Sequence, residues 1–192
     1  MAEAGRDLSE RDVLVLLADA AGGVIEGRTV FQKLAYFAGR RLHRDFGHRA
    51  HYFGPFSSSV ESSLKVSVLA GEFDEAIERI PDWYGGPDAL KYRCTLSDVG
   101  RKRVASLRAE FPDEASTIDE VVHVISDAVP ELRQQTLSAA AKIDLIVAQQ
   151  DEPVPVDELP KLARRLGWHL SRGQVKKTVD VLTRLDLIET GD

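Results

Sequence analysis

One cysteine stands in 192 residues. Cys94 on its own forms no intrachain disulfide and excludes the zinc sites that need several thiolates. Its apolar, strand-like surroundings point to buried packing. No run approaches the ~18 apolar residues of a membrane-spanning helix. The opening stretch MAEAGRDLSE has no apolar signal core, so a soluble, cytoplasmic protein is expected. Phosphate-cradling loops are missing too: Gly22-Gly23 and Gly85-Gly86 lack the flanking pattern of a P-loop or a dinucleotide fingerprint. The serines at 57–59 have no Gly-x-Ser-x-Gly context. His43, His48 and His51 have one carboxylate nearby, Asp45, and no cysteine, while His123 and His169 stand alone. The sequence therefore points to no catalytic residue, no metal and no cofactor, and to a protein that is not an enzyme.

What the sequence does have is segregated charge. The net charge is -6, which by itself repels polyphosphates. Residues 28–51 nevertheless hold Arg28, Lys33, Arg40, Arg41, Arg44 and Arg49 against the single acid Asp45. Residues 161–184 hold Lys161, Arg164, Arg165, Arg172, Lys176, Lys177 and Arg184 against Asp180 alone. Between these islands, residues 109–131 carry seven acids and no lysine or arginine.

Apolar spacing and capping residues predict the elements. A helix starts at Ser9, with Asp12 in its first turn, and stops at Gly22-Gly23; Val24-Ile25 suits a very short strand. Thr29 with Gln32 reads as a capping box for a second helix, whose Val30, Leu34, Phe37, Ala38 and Leu42 face a core. Tyr52-Phe53-Gly54-Pro55-Phe56 reads as a tight aromatic connection. Ser58 and Glu61 suit the start of a third helix, with Val60, Leu64, Val68 and Leu69 inward. Residues 73–80 fit either a strand or a short helix. Tyr84-Gly85-Gly86-Pro87-Asp88 is a turn cluster. Leu90, Tyr92, Cys94 and Leu96 alternate as in a half-buried strand, and Ser97 caps a helix running to about Phe111. This order is that of a winged helix, with the turn between strands as the wing.

An acidic helix follows over 114–128, with Ile118, Val121, Val122 and Ile125 inward, as a spacer or a dimerisation surface. A further helix spans 140–149. Asp157 is placed to cap the next one, with Pro160 in its first turn. There Leu159, Leu162, Ala163 and Leu166 face inward; Gly167 ends the helix and Trp168 plugs the turn. Ser171 and Gln174 form a capping box for the last helix, with Val175, Val179, Leu182 and Leu185 inward. Leu187-Ile188-Glu189 has the character of a starting strand. The expected architecture is mainly α with a small β wing, an α+β protein of two winged-helix or helix-turn-helix-like units. The divisions are 1–111, an acidic helical segment at 112–135, and 136–192.

The last helix carries the strongest functional signal. At about 100° per residue, Arg172, Thr183, Lys176, Asp180, Arg184 and Lys177 share one arc, opposite Val175, Val179 and Leu182. Cations near the N-terminal end of an exposed helix suit base edges and phosphates in a major groove. Arg172, Lys176 and Lys177 are the candidates for groove contact; Arg164, Arg165, Arg40, Arg41 and Arg44 are the candidates for phosphates. The N-terminal unit differs, because its third helix is serine-rich and has Lys65 as its only cation. Tyr52, Phe53 and Phe56 suit core packing, the favoured reading, or an exposed anchor for a protein partner.

Arg28-Thr29-Val30-Phe31-Gln32-Lys33-Leu34-Ala35-Tyr36-Phe37, followed by Tyr52-Phe53-Gly54-Pro55-Phe56-Ser57, resembles the small prokaryotic YwgA-like proteins. Their motifs are a Gln-Lys-Leu-x-Tyr/Phe helix and a Tyr-Gly-Pro-Phe/Tyr-Ser turn. A more distant likeness is to the Panacea antitoxin domain, from which this chain differs by the extra aromatic in the turn and by Phe31 in place of a leucine. The likeness covers about residues 28–70 and implies a winged-helix fold. Residues 157–188 separately resemble generic helix-turn-helix regulators. The reading that follows is a DNA-binding regulator, a homodimer on double-stranded DNA. The alternative is a protein-interaction module, an antitoxin-like neutraliser or an adaptor subunit.

Overall fold

The computed structural model describes residues 7–81, 89–150 and 152–188. Its first helix, α1 (Glu10–Ala20), opens on a complete capping box: the Ser9 hydroxyl accepts from Asp12 N–H, and the Asp12 carboxylate accepts from Ser9 N–H. The sequence suggests an amphipathic helix, yet every residue from Asp12 to Ala18 is buried. Four helices and two of the strands pack around its middle, so it lies within the core rather than forming one of its walls.

Strand β1 (Val24–Glu26) leads through Gly27, with φ at +93°, into α2 (Arg28–Arg41). Gly27 occupies the cap position without a side-chain bond, so the expected Thr29–Gln32 box does not form. Gln32 is used elsewhere: its amide donates to Ser57 O and accepts from Ser57 N–H, at 2.9 and 3.0 Å. Helix α3 (Ser58–Leu69) is capped by Ser57, one residue before the expected Ser58, because the Ser57 hydroxyl accepts from Val60 N–H. Val60 and Leu64 point inward, but Leu69 is 87% exposed.

The ambiguous segment at 73–80 is a strand, β2 (Phe73–Ile80), paired antiparallel with β3 (Ala89–Leu96). β1 joins the other edge of β3, giving the order β1-β3-β2. The alternation expected of β3 holds only at its inner end. Cys94 and Leu96 are buried, whereas Leu90, Ile77 and Ile80 are exposed, because the far half of the hairpin extends beyond the helices that cover its base. The Tyr84–Asp88 turn lies outside the described residues.

Ser97 caps α4 (Asp98–Glu110), as expected. Pro112 is the first residue of α5 (Pro112–Ala128), whose Ala115, Ile118, Val121, Val122 and Ile125 pack inward against α1 and α2. A 3-10 turn, Pro130–Leu132, then leads to α6 (Gln134–Val147), which is longer than its apolar pattern suggests. Helix α6 lies on α2 with one side and on α8 (Arg172–Arg184) with another; α7 (Leu159–Arg165) completes the C-terminal group. The protein is thus mainly helical with a small three-stranded antiparallel sheet. Buried side chains from Leu8 to Leu185 form one continuous core. No helix among the described residues is long and apolar enough to cross a membrane.

Candidate nucleic-acid interface

The C-terminal site starts from α7. Its expected cap, Asp157, makes no capping bond, and the helix begins after Glu158 with Pro160 in its first turn. Leu159 and Ala163 are buried, Leu162 is half-buried and Leu166 is exposed. Gly167, with φ at +73°, closes the helix: Gly167 N–H donates to Arg164 O and Trp168 N–H to Ala163 O. This left-handed closure turns the chain through Trp168 and Leu170, both buried, to Ser171. Ser171 and Gln174 then form the expected reciprocal box at the start of α8.

Val175, Thr178, Val181, Leu182 and Leu185 bury one side of α8. Thr178 and Val181 extend the inner side beyond the apolar stripe read from the sequence, and Val179 is half-buried at its margin. The Thr178 hydroxyl donates to Val175 O, so a polar residue sits on the inner face without an orphaned donor. The opposite arc is open: Arg172, Lys176, Lys177, Asp180 and Arg184 are exposed, as are Lys161, Arg164 and Arg165 on α7. Among the described residues, Lys161, Arg164, Arg165, Arg172, Lys176 and Lys177 form no ion pair; Arg184 reaches Asp127 at 3.3 Å. An open groove of about 820 Å³ between the 3-10 turn and α8 brings Arg133 beside Lys176 and Lys177. Arg133 sits outside the basic stretch visible in the sequence.

The phosphate candidates of the N-terminal island are placed differently. Arg40 donates to the fully buried Asp144 carboxylate at 2.9 and 3.3 Å, and the Tyr36 hydroxyl donates to the same group at 2.5 Å. Burial pushes the Asp144 carboxyl above its ordinary range, against the pull of Arg40 and Tyr36. Arg41 bonds Leu185 O, Asp186 and Glu120. Arg44 donates to Leu8 O and lies 3.6 Å from Asp7. Arg40 and Arg44 share the wall of an open cleft of about 610 Å³ with Arg49, His43 and His48; Arg41 points elsewhere. His48 is buried edge-on to Tyr36, and burial lowers its pKa to about 4.

The aromatic turn departs from the favoured core reading. Tyr52 is 74% and Phe53 49% exposed, their rings edge to face at 4.8 Å; Phe56 is half-buried and tilts against His51. Gly54, with φ at +93°, sits where a Cβ would lie 3.2 Å from both Ser138 O and the Lys142 side chain of α6, a tight fit in a backbone conformation that favours glycine; the turn's backbone faces inward here and its first two rings face out. The turn is also tied to the α7–α8 connection, because the Trp168 indole donates to His51 O at 2.8 Å. Among the described residues, no group of three His, Cys, Asp or Glu side chains is arranged to hold a metal ion. Set against known protein families and curated proteins, the sequence matches none of the families and none of the proteins.

Proposed function

We propose that the protein is a DNA-binding regulator that seats the exposed arc of α8 in the major groove of duplex DNA. The observation that carries this reading is the state of six cations on α7 and α8: all exposed, none in an ion pair among the described residues. An anionic protein approaches a duplex only where its cations are held together and free of internal counter-charges. Helix α7, the glycine-closed turn and α8 supply the parts of a helix-turn-helix, with α8 as the reading helix and Arg164 and Arg165 beside the phosphate backbone. The N-terminal order α1-β1-α2-α3-β2-β3, with β3 central, supports a winged-helix unit there. That unit braces α6 and α8 and makes little direct contact with DNA. The active form is a cytoplasmic homodimer without catalytic activity, reading half-sites about one helical turn, ~34 Å, apart.

The test is fluorescence anisotropy on duplex fragments selected from a random library, titrated with salt. Three phosphate contacts from α7, by Lys161, Arg164 and Arg165, give a log–log slope of about -3. The K161A/R164A/R165A variant is expected to remove most of that slope, and the α8 variant R172A/K176A/K177A to lose discrimination between the selected duplex and a scrambled one. No duplex retention at low salt, or an unchanged slope in the α7 variant together with unchanged discrimination in the α8 variant, overturns the reading.

The exposed Tyr52–Phe53 pair favours a second reading, a protein-interaction module that uses these rings as an anchor. In that case Y52A/F53A abolishes co-purification of a partner, and the α8 variant leaves it intact.

A further inference from the structure

A cavity of about 150 Å³ opens between α2, α3 and the aromatic turn. Phe31, Phe53, Phe56, Val60 and Leu64 make its walls apolar, and Lys33 forms part of its lining. Cavities of this size and lining admit a ligand of about one benzene ring.

Lys33 is the unusual member. It is 1% exposed, and its ammonium donates to Pro55 O at 2.6 Å. An ammonium has three donors, and among the described residues no carboxylate approaches this one. A buried cation without a counter-charge is costly. The surrounding charges do not supply one. Lys142 of α6 is a second cation, and His48 lies on the loop side, itself disfavoured as a cation. In the cavity wall, Arg28 is bound to Glu75 and lies over the Tyr92 ring, Glu61 is paired with Lys65 at 2.9 Å, and His51 packs on Phe56.

We propose that this cavity binds a small aromatic monocarboxylate, its ring among the phenylalanines and its carboxylate on Lys33. The ligand brings the missing negative charge, and Lys142 adds to its attraction. Occupancy bears on the backbone that Lys33 and Gln32 hold, Pro55 and Ser57, and this turn continues to His51, the acceptor of the Trp168 indole. The site stands without the DNA reading. Only the onward effect on α8 rests on it.

The test uses the full chain carrying W83F, which leaves Trp168 as the sole tryptophan. Benzoate, phenylacetate and neutral benzamide are titrated near pH 6.5, followed by calorimetry and by Trp168 emission. The carboxylates are expected to bind saturably, one per chain, at least tenfold more tightly than benzamide. K33M should abolish carboxylate binding while remaining folded, and F53A, at a half-exposed wall residue, should weaken it severalfold. Benzamide binding as well as benzoate, K33M binding unchanged, or no saturable binding of either carboxylate at millimolar concentrations would each overturn the site. Carboxylate binding that leaves Trp168 emission unmoved would overturn the link to the turn.

Discussion

The two basic islands look alike as strings and differ completely once folded. Arg28, Arg40, Arg41 and Arg44 each reach back to an acid or a carbonyl of their own chain, and Lys33 is sealed inside. Arg49, 4.0 Å from Asp45 with both side chains exposed, is the loosest member. The cations from Lys161 to Lys177 stay in solvent. An island rich in arginine is therefore not yet a binding surface. What matters is whether the fold pairs them with counter-charges of its own: acids and carbonyls bind the arginines of the first island, whereas among the described residues no acid pairs with the cations of α7 and the start of α8. The N-terminal arginines act as tethers that fix α2 to α6, to the segment after α8 and to the start of α1. The C-terminal ones are left for a partner.

The largest expected effect breaks this contrast at its strongest tether. R40A leaves Asp144 buried with Tyr36 alone, and removal of one partner from a buried charge pair costs about 3 kcal/mol or more. R164A, at an exposed unpaired site, should change stability by less than ~0.5 kcal/mol and instead lower the salt slope of duplex binding by about one. Denaturant unfolding and anisotropy on the two single variants measure both sides. Equal stability of R40A and R164A would erase the distinction.

Lys33 sharpens the comparison from the opposite direction, as a cation that the fold disfavours. Burial, aided by Lys142, lowers its pKa from 10.5 to about 7. Between pH 7 and 10.5 the unfolded chain holds a proton that the native chain has released, so stability rises with pH across that window. Below pH 7 both states are protonated and the full penalty remains. K33M removes the penalty but also the bond to Pro55 O. The variant should be more stable than the parent by about 2 kcal/mol below pH 7, the difference passing through zero and reversing as pH climbs toward 10.5, where only the lost bond to Pro55 O remains. Urea midpoints from pH 6 to pH 10 check this, and a pH-independent difference contradicts it.

How much of this was legible follows the range of each interaction. The Ser171–Gln174 box spans three residues and was readable in the sequence, as was the start of α1 at Ser9, although the reciprocal bond from Asp12 was read only as an acid in the first turn. The Thr29–Gln32 pair has the same spacing, yet Gln32 bonds Ser57 twenty-five positions away, which no local pattern reveals. The open arc of α8 was legible because it needs only helical periodicity and a lack of nearby acids. The tethering of Arg40 was not, because its partner lies 104 positions on, a lone acid in the apolar run Ile143-Asp144-Leu145-Ile146. That acid was the one available signal: a carboxylate amid buried aliphatics requires a partner. Tyr52 and Phe53 were misread as core because composition favours burying aromatics. At this turn the Gly54 backbone lies against α6 and the two rings face out.

The smallest predicted effect separates shape from charge on the open arc itself. Gly173 lies among Arg172, Lys176 and Lys177, and a Cβ built there meets nothing within 4 Å. Its backbone is helical, so alanine relieves the entropic cost of glycine, and G173A should stabilise the protein by about 0.5–1 kcal/mol, a rise in Tm of about 2 °C. The new methyl adds no charge, so the salt slope of duplex binding should stay fixed. On an arc seated against DNA the methyl holds the α8 backbone away, and affinity falls at that unchanged slope. A variant that is more stable and binds DNA as tightly as the parent would place the arc beside the phosphates but outside the groove, acting through its lysines and arginines alone.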